Sequence, residues 1–95
     1  MPRLTMQNEG AKTYLVPASA ITPLPEGFSG DAINRLGAYE AFHAGLIFDM
    51  EKAAADMEIL RAAGKEKTVK FRELLAKKLT CSNTLALLKL QGLDI

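Results

Sequence analysis

Glu40 and His43 have the residue types and the spacing of a metal-binding or acid–base pair. Residues three apart lie on one face of a helix, so their carboxylate and imidazole would point the same way. Carboxylate-bridged di-iron bundles use this spacing, but each site needs two Glu/His pairs and two further glutamates. The chain contains one histidine, so only a symmetric dimer would supply a second pair. A half-buried histidine bonded to a nearby carboxylate is the simpler explanation, and we predict no metal and no cofactor.

Cys81 is the single cysteine of the chain. A lone cysteine excludes an intramolecular disulfide and a cysteine-based zinc cluster within one chain. Nucleophilic catalysis would require His43 to meet Cys81 in the fold, and the sequence has neither a nucleophile elbow nor a glycine-rich phosphate loop. A small structural side chain is the simpler role for Cys81. We therefore predict that the protein is not an enzyme.

Length and charge limit the remaining classes of function. A chain of 95 residues has room for one hydrophobic core, so we predict a single domain over 1–95. Twelve Lys and Arg against eleven Asp and Glu leave a net charge of +1, which gives no bulk field favouring nucleic acid or anionic lipid. The first residues lack the apolar run of a signal peptide, and no stretch approaches the ~20 apolar residues of a membrane span. We predict a cytoplasmic protein without membrane contact, because a free thiol stays reduced there.

The N-terminal third predicts extended structure. Residues 1–16 place β-favouring residues on both sides of Asn8-Glu9-Gly10, a pattern typical of a β-hairpin. Residues 17–30 hold Pro17, Pro23 and Pro25, which fix backbone angles and predict an extended strap across the core.

The remainder predicts helices. Residues 31–63 carry apolar residues three and four apart, which indicates one long amphipathic helix that Gly45 could kink. Residues 68–92 predict two short helices, with Thr68 as the first cap, an interruption at residues 80–83 and a glycine ending at Gly92. The predicted fold is thus α+β and mostly α, with an N-terminal β-hairpin, one long helix and two short C-terminal helices.

The long helix predicts self-association. At 1.5 Å per residue it measures about 50 Å, whereas a compact chain of this size is about 32 Å across. Two short helices and a hairpin are too small to cover its apolar stripe. We therefore expect a second copy in an antiparallel dimer, a host protein, or a break at Gly45 that folds the helix on itself to do so. The stripe supplies the candidate interface: Leu36, Tyr39, His43, Leu46, Met50 and Met57.

Charge is unevenly distributed along the chain. Residues 40–58 are mainly acidic and residues 61–78 mainly basic, so the two stretches would attract each other in an antiparallel dimer or stay as separate solvated faces. The basic stretch also supports an alternative function, binding of nucleic acid or an anionic ligand. Its candidate contacts are Lys65, Lys67, Lys70, Arg72, Lys77 and Lys78.

Residues 71–92 resemble the helix-turn-helix family of DNA-binding modules. The run 75–79 (LAKKL) matches the first helix of that motif and Ser82 matches its turn. The resemblance implies a recognition helix at residues 84–91, which would enter the major groove of DNA.

Two departures make DNA recognition the less favoured interpretation. Thr80 stands where the family usually has glycine, and the step from Ser82 to Leu85 is one residue short. The implied recognition helix offers only Lys89 and Gln91 as long polar side chains, whereas base readout needs several donors and acceptors on one face.

Residues 32–40 (AINRLGAYE) resemble a phrase common in short uncharacterised accessory proteins of bacterial prophages and mobile elements. The resemblance implies an accessory protein of that kind, a group that includes host-factor binders and defence antagonists. It carries over no catalytic residue and no ligand. Together with the uncovered stripe, it favours a non-enzymatic module for protein–protein interaction and oligomerisation.

Overall fold

The computed structural model of the chain describes residues 2–10 and 13–93. The elements in chain order are β1 (Met6–Gln7), β2 (Tyr14–Leu15), a 3-10 turn (Ala18–Ala20), β3 (Thr22–Leu24), β4 (Gly27–Ser29), α1 (Asp31–Ala62) and α2 (Val69–Leu90). The chain divides into two compact units, Met1–Ala41 and Phe42–Ile95, and α1 contributes to both. The predicted α+β, mostly helical fold is confirmed, whereas the predicted number of helices is wrong.

The N-terminal hairpin is confirmed. Strands β1 and β2 are antiparallel, with Met6 opposite Leu15 and Gln7 opposite Tyr14. Asn8 closes the turn with two hydrogen bonds. Its backbone N–H donates to the Thr13 carbonyl at 2.9 Å, and its Nδ2 donates to Thr13 Oγ1 at 3.0 Å. The predicted hairpin also included residues 1, 11 and 12, which lie outside the described residues.

The proline-rich segment is a second hairpin, which the prediction of a single strap missed. Strands β3 and β4 are antiparallel with Leu24 opposite Gly27, so Pro25 and Glu26 form a two-residue turn. Proline suits the first central position of such a turn because its φ is already fixed. Pro23 lies within β3 without cost, because both strands of a two-stranded sheet are edges and Pro23 needs no ladder partner for its missing N–H.

Gly30 joins this hairpin to α1 at a crowded point. Its φ is +118°, and a Cβ atom there would lie 2.6 Å from the Ala20 carbonyl oxygen and 2.8 Å from Ile21 Cα. The Gly30 carbonyl accepts the first helical bond, from Asn34 N–H at 2.9 Å. Gly30 is therefore the first cap of α1, and Ser29, a residue type that often caps helices, belongs to β4 instead.

Helix α1 runs unbroken for 32 residues, in close agreement with the predicted 31–63. It passes through Gly37 and Gly45 without interruption, because neighbouring helical residues keep the hydrogen-bond ladder intact at a propensity cost of about 1 kcal/mol per glycine. Gly64, at φ +70°, then ends the helix with a tight turn in which Lys65 N–H donates to the Leu60 carbonyl at 2.8 Å.

Helix α2 is one helix of 22 residues, so the prediction of two short helices in 68–92 is corrected. Thr68 caps it as predicted, its hydroxyl oxygen accepting from Phe71 N–H at 3.3 Å. Residues 80–83 stay helical although Thr80, Ser82 and Asn83 are capping types, because these three side chains are exposed to solvent and do not compete for the helical backbone groups. The next residue, Thr84, donates from its hydroxyl to the Thr80 carbonyl within the helix at 2.8 Å. The predicted glycine ending is confirmed, with Gly92 at φ +79° and Leu93 N–H donating to the Leu88 carbonyl at 2.9 Å.

The core of the second unit forms where the end of α1 packs on the start of α2. Ala53 and Met57 from α1 meet Phe71 and Leu74 from α2, and Leu60 covers their edge. The Arg61 guanidinium lies over the Phe71 ring, 5.5 Å from its centre, at the end of the core where α1 connects to α2. A connection of six residues, 63–68, makes this pair a helical hairpin.

We expect Gly30→Ala to lower the free energy of unfolding by more than about 1 kcal/mol, because it adds backbone strain to a steric clash. The matched control is Gly37→Ala, since a Cβ atom at Gly37 meets nothing within 4 Å and α1 should gain about 0.5–1 kcal/mol. Urea denaturation followed by circular dichroism at one chain concentration measures both. Equal effects of the two substitutions would contradict the close approach at Gly30.

Candidate functional site

The predicted interface stripe of α1 is divided by the fold. Met57 is only 5% exposed and belongs to the core with α2. His43, Leu46 and Met50 are half-buried. Leu36 and Tyr39 are each 56% exposed, so the open part of the stripe is its N-terminal end. Of the predicted interface residues, Met57 is therefore part of the core, whereas Leu36 and Tyr39 are exposed to solvent.

Leu36 and Tyr39 border an apolar groove in the N-terminal unit. Helix α1 forms one wall with Ile33, Leu36 and Tyr39, and the segments around the first hairpin form the other with Leu4, Val16 and Ile21. The groove encloses about 600 Å³, a size typical of sites that hold a small ligand or a few side chains of a partner. The stripe predicted from the sequence includes residues of the α1 wall and none of the opposite wall, although a two-stranded hairpin is stable only when it packs on something else.

Two arginines hold the N-terminal segment beside the groove. Arg35, one turn into α1, donates from Nη1 to the Pro2 carbonyl. Arg3 donates from Nε to Thr5 Oγ1 at 3.2 Å, and its guanidinium lies 5.4 Å from the centre of the Tyr14 ring. Both arginines line the groove and no carboxylate does among the described residues, so its edge favours an apolar occupant with a negative group.

The two candidates for catalysis, the Glu40/His43 pair and Cys81, lie in different surroundings. His43 is half-buried and Glu40 is exposed, and within the described chain the His43 side chain makes no hydrogen bond or ion pair. The described residues contain no group of three or more His, Cys, Asp and Glu side chains that could hold a metal ion. Cys81 is 5% exposed and lies in the interior of α2.

The predicted basic contacts are spread around the helical hairpin. Lys65 and Lys67 lie in the connection between the helices, Arg72 is exposed on α2 and Lys78 is half-buried. Lys70 and Lys77 face a cleft of about 330 Å³ that contains Asp49, Lys52, Asp56 and Glu73.

That cleft brings the acidic and basic stretches together within one chain. In the predicted antiparallel dimer, the acidic stretch of one copy would contact the basic stretch of the other. The hairpin connection instead sets α2 alongside the acidic part of α1 in the same chain. The ion pairs of the described residues lie within α1, where Lys52 meets Asp56 at 3.5 Å and Arg61 meets Glu58. Mixed signs in the cleft weaken the positive potential that phosphate binding would need.

No family model, curated protein or solved structure matches this chain. Neither helix of the described chain has the length of apolar sequence that crossing a membrane requires.

The division of the stripe predicts two different mutational effects. Met57→Ala should lower the free energy of unfolding by about 2–5 kcal/mol, because it leaves a cavity in the hairpin core. Leu36→Ala, the matched control on the same helix, should cost about 1 kcal/mol or less, because most of that side chain is already in water. Chemical denaturation at low chain concentration compares the two, and a larger loss for Leu36→Ala would reverse the assignment.

Proposed function

We propose that this protein is a non-enzymatic module for protein–protein interaction and self-association in the cytoplasm, with a homodimer as its simplest assembly. The observation that carries the proposal is the amount of apolar surface left in water. The resemblance of residues 32–40 adds the proposal that it is an accessory protein of a prophage or mobile element whose partner is a host protein.

The second unit has few buried apolar side chains and many exposed ones. Its contact cluster contains four buried side chains, from Ala53 to Leu74. The same unit leaves Phe48, Ile59, Leu79 and Leu90 more than half exposed. Water around such side chains costs free energy that a protein partner would relieve, and large exposed apolar patches mark interaction sites.

The groove beside Leu36 and Tyr39 supports a partner site in the first unit. Its apolar walls would bury the side chains of a partner, and its arginine edge would attract an acidic segment. Aromatic and arginine side chains contribute strongly at protein interfaces, which makes Tyr39 and Arg35 the residues most suited to anchor such a partner.

Binding of nucleic acid is the second candidate, and the charge distribution disfavours it. Phosphate recognition requires several cations on one open surface. Lys70 and Lys77 share their cleft with Asp49, Asp56 and Glu73, which leaves Lys65, Lys67 and Arg72 as the cations most open to a phosphate backbone.

Self-association is tested by the mass of the purified full chain in solution. Sedimentation velocity and light scattering over a concentration series should give a mass above the 10.3 kDa of one chain, decreasing toward that value on dilution. Mass action requires this trend for a reversible assembly. A constant mass of one chain at every concentration would contradict self-association.

The nucleic-acid alternative is tested by gel retardation and filter binding across a salt series. We expect no retained complex at physiological salt, because the cations of the cleft are locally neutralised. Binding with a steep salt dependence, abolished by Lys65→Ala with Lys67→Ala and kept by Lys52→Ala, would establish the alternative instead.

A further inference from the structure

The groove of the first unit carries positive charge that no anion of the described chain neutralises. Arg3 and Arg35 both line it, and no carboxylate of the described residues does. Neither arginine forms an ion pair with any described residue. Asp31 lies one turn before Arg35 on α1, yet these two side chains do not pair in the part of the chain that the structure describes. An anion from outside the chain would therefore complement this groove.

Arg35 is the better placed of the two arginines to hold an anion. It is half-buried, and its Nη1 donates to the Pro2 carbonyl, which anchors the guanidinium on the N-terminal segment. A guanidinium has several N–H donors in one plane. The other donors of Arg35 make no hydrogen bond with the described residues. They are thus available for the paired, charge-assisted hydrogen bonds by which arginine binds a carboxylate.

The size and the lining of the groove favour a small molecule over a peptide. Its volume of about 600 Å³ is in the range of sites that enclose drug-sized ligands. An extended peptide carries an N–H and a C=O at every residue, and these groups need hydrogen-bond partners when they are buried. The side chains of Leu4, Val16, Ile21 and Ile33 supply none. A helical segment satisfies its own backbone but is ~10 Å across, so it could place only side chains in the groove.

We propose that the groove binds a small amphiphilic anion, a monocarboxylate with an apolar chain. The carboxylate lies on Arg35, and the chain lies between Leu36 on one wall and Val16 and Ile21 on the other. Burial of the chain removes apolar surface from water, and the arginine selects the charge of the headgroup. This site goes beyond the proposed function and does not depend on self-association. A bound carboxylate would exclude an acidic partner segment, because both need Arg35 and the same walls.

Titration calorimetry of the full chain with decanoate tests the site, and we expect saturable binding of one decanoate per chain. Decyltrimethylammonium has a similar apolar chain and the opposite charge. It should bind about tenfold or more weakly, because it loses the charge-assisted hydrogen bonds. Acetate, the headgroup alone, should give no measurable binding, because an ion pair in water contributes little. Absence of decanoate binding, or equal binding of the two long-chain probes, would overturn the proposal.

Substitutions in the groove test the role of each part. Arg35→Gln should weaken decanoate binding by about tenfold or more, whereas Arg72→Gln, at an exposed position on α2, should leave it unchanged. Leu36→Asp places a carboxylate in the wall and should weaken binding by repelling the ligand. Leu36 is mostly exposed, so this second variant should keep its fold, which circular dichroism verifies. Undiminished affinity in both Arg35→Gln and Leu36→Asp would refute the site.

Amide resonances of the unaltered chain show where the ligand binds. Decanoate should shift the resonances of Val16, Ile33 and Leu36, which line the groove. Leu79 and Leu90, exposed apolar residues of α2, should not shift. Shifts confined to α2 would contradict the assignment.

A short blocked peptide of leucines and glutamates is the competing probe in the same experiment. We expect it to shift the groove resonances less than decanoate does at equal concentration. If the peptide shifts them and decanoate does not, the groove is a site for an acidic partner segment. That result would overturn the small-ligand site and leave the proposed function standing.

Discussion

The packing of Met57 and Ala53 against Phe71 and Leu74 is the contact on which the second unit depends. The cap at Thr68 and the glycine turn at Gly64 bring the two helices close enough for it to form. Because the contact involves only one side of each helix near the connection, it fixes the pairing of α1 with α2. It leaves much of the apolar surface of both helices in water, and this combination of a small interior and a large apolar exterior is the physical basis of the proposed assembly.

The same contact also determines where the charged residues of the two helices lie. Bringing α2 back along α1 places lysines of α2 in a cleft with carboxylates of α1, so attraction that could have joined two chains acts within one. In the proposed assembly, contacts between chains would then be mainly apolar, and therefore less sensitive to ionic strength. The first unit differs in this respect, because Arg3 and Arg35 border its groove and no carboxylate of the described residues lines it.

Regular periodicity was the sequence signal that predicted structure best. The three- and four-residue spacing identified α1 almost to its ends, and cap chemistry identified Thr68 and Gly92 correctly. Residues 80–83 misled the prediction, because serine, threonine and asparagine cap helices in general yet remain helical when their side chains bond within the ladder or face solvent. Pro25 was understood as part of a strap, because its fixed φ suits a turn and an extended chain alike.

The candidate surfaces were predictable only in part. Leu36 and Tyr39 belong to a stripe visible in the sequence, but nothing local reveals that α2 takes Met57 out of it. Leu74 and Leu75 are adjacent in the sequence, and the pattern alone does not say which of them faces inward. In the structure Leu74 is buried and Leu75 is exposed. Which face is covered depends on the tertiary contact, and local pattern does not contain that information.

The burial of Cys81 makes its thiol a probe of local opening. Its thiol is buried, so a reagent that modifies thiols reaches it only when the structure around it opens. The labelling rate of this one sulfur therefore measures how often this part of α2 becomes accessible under native conditions.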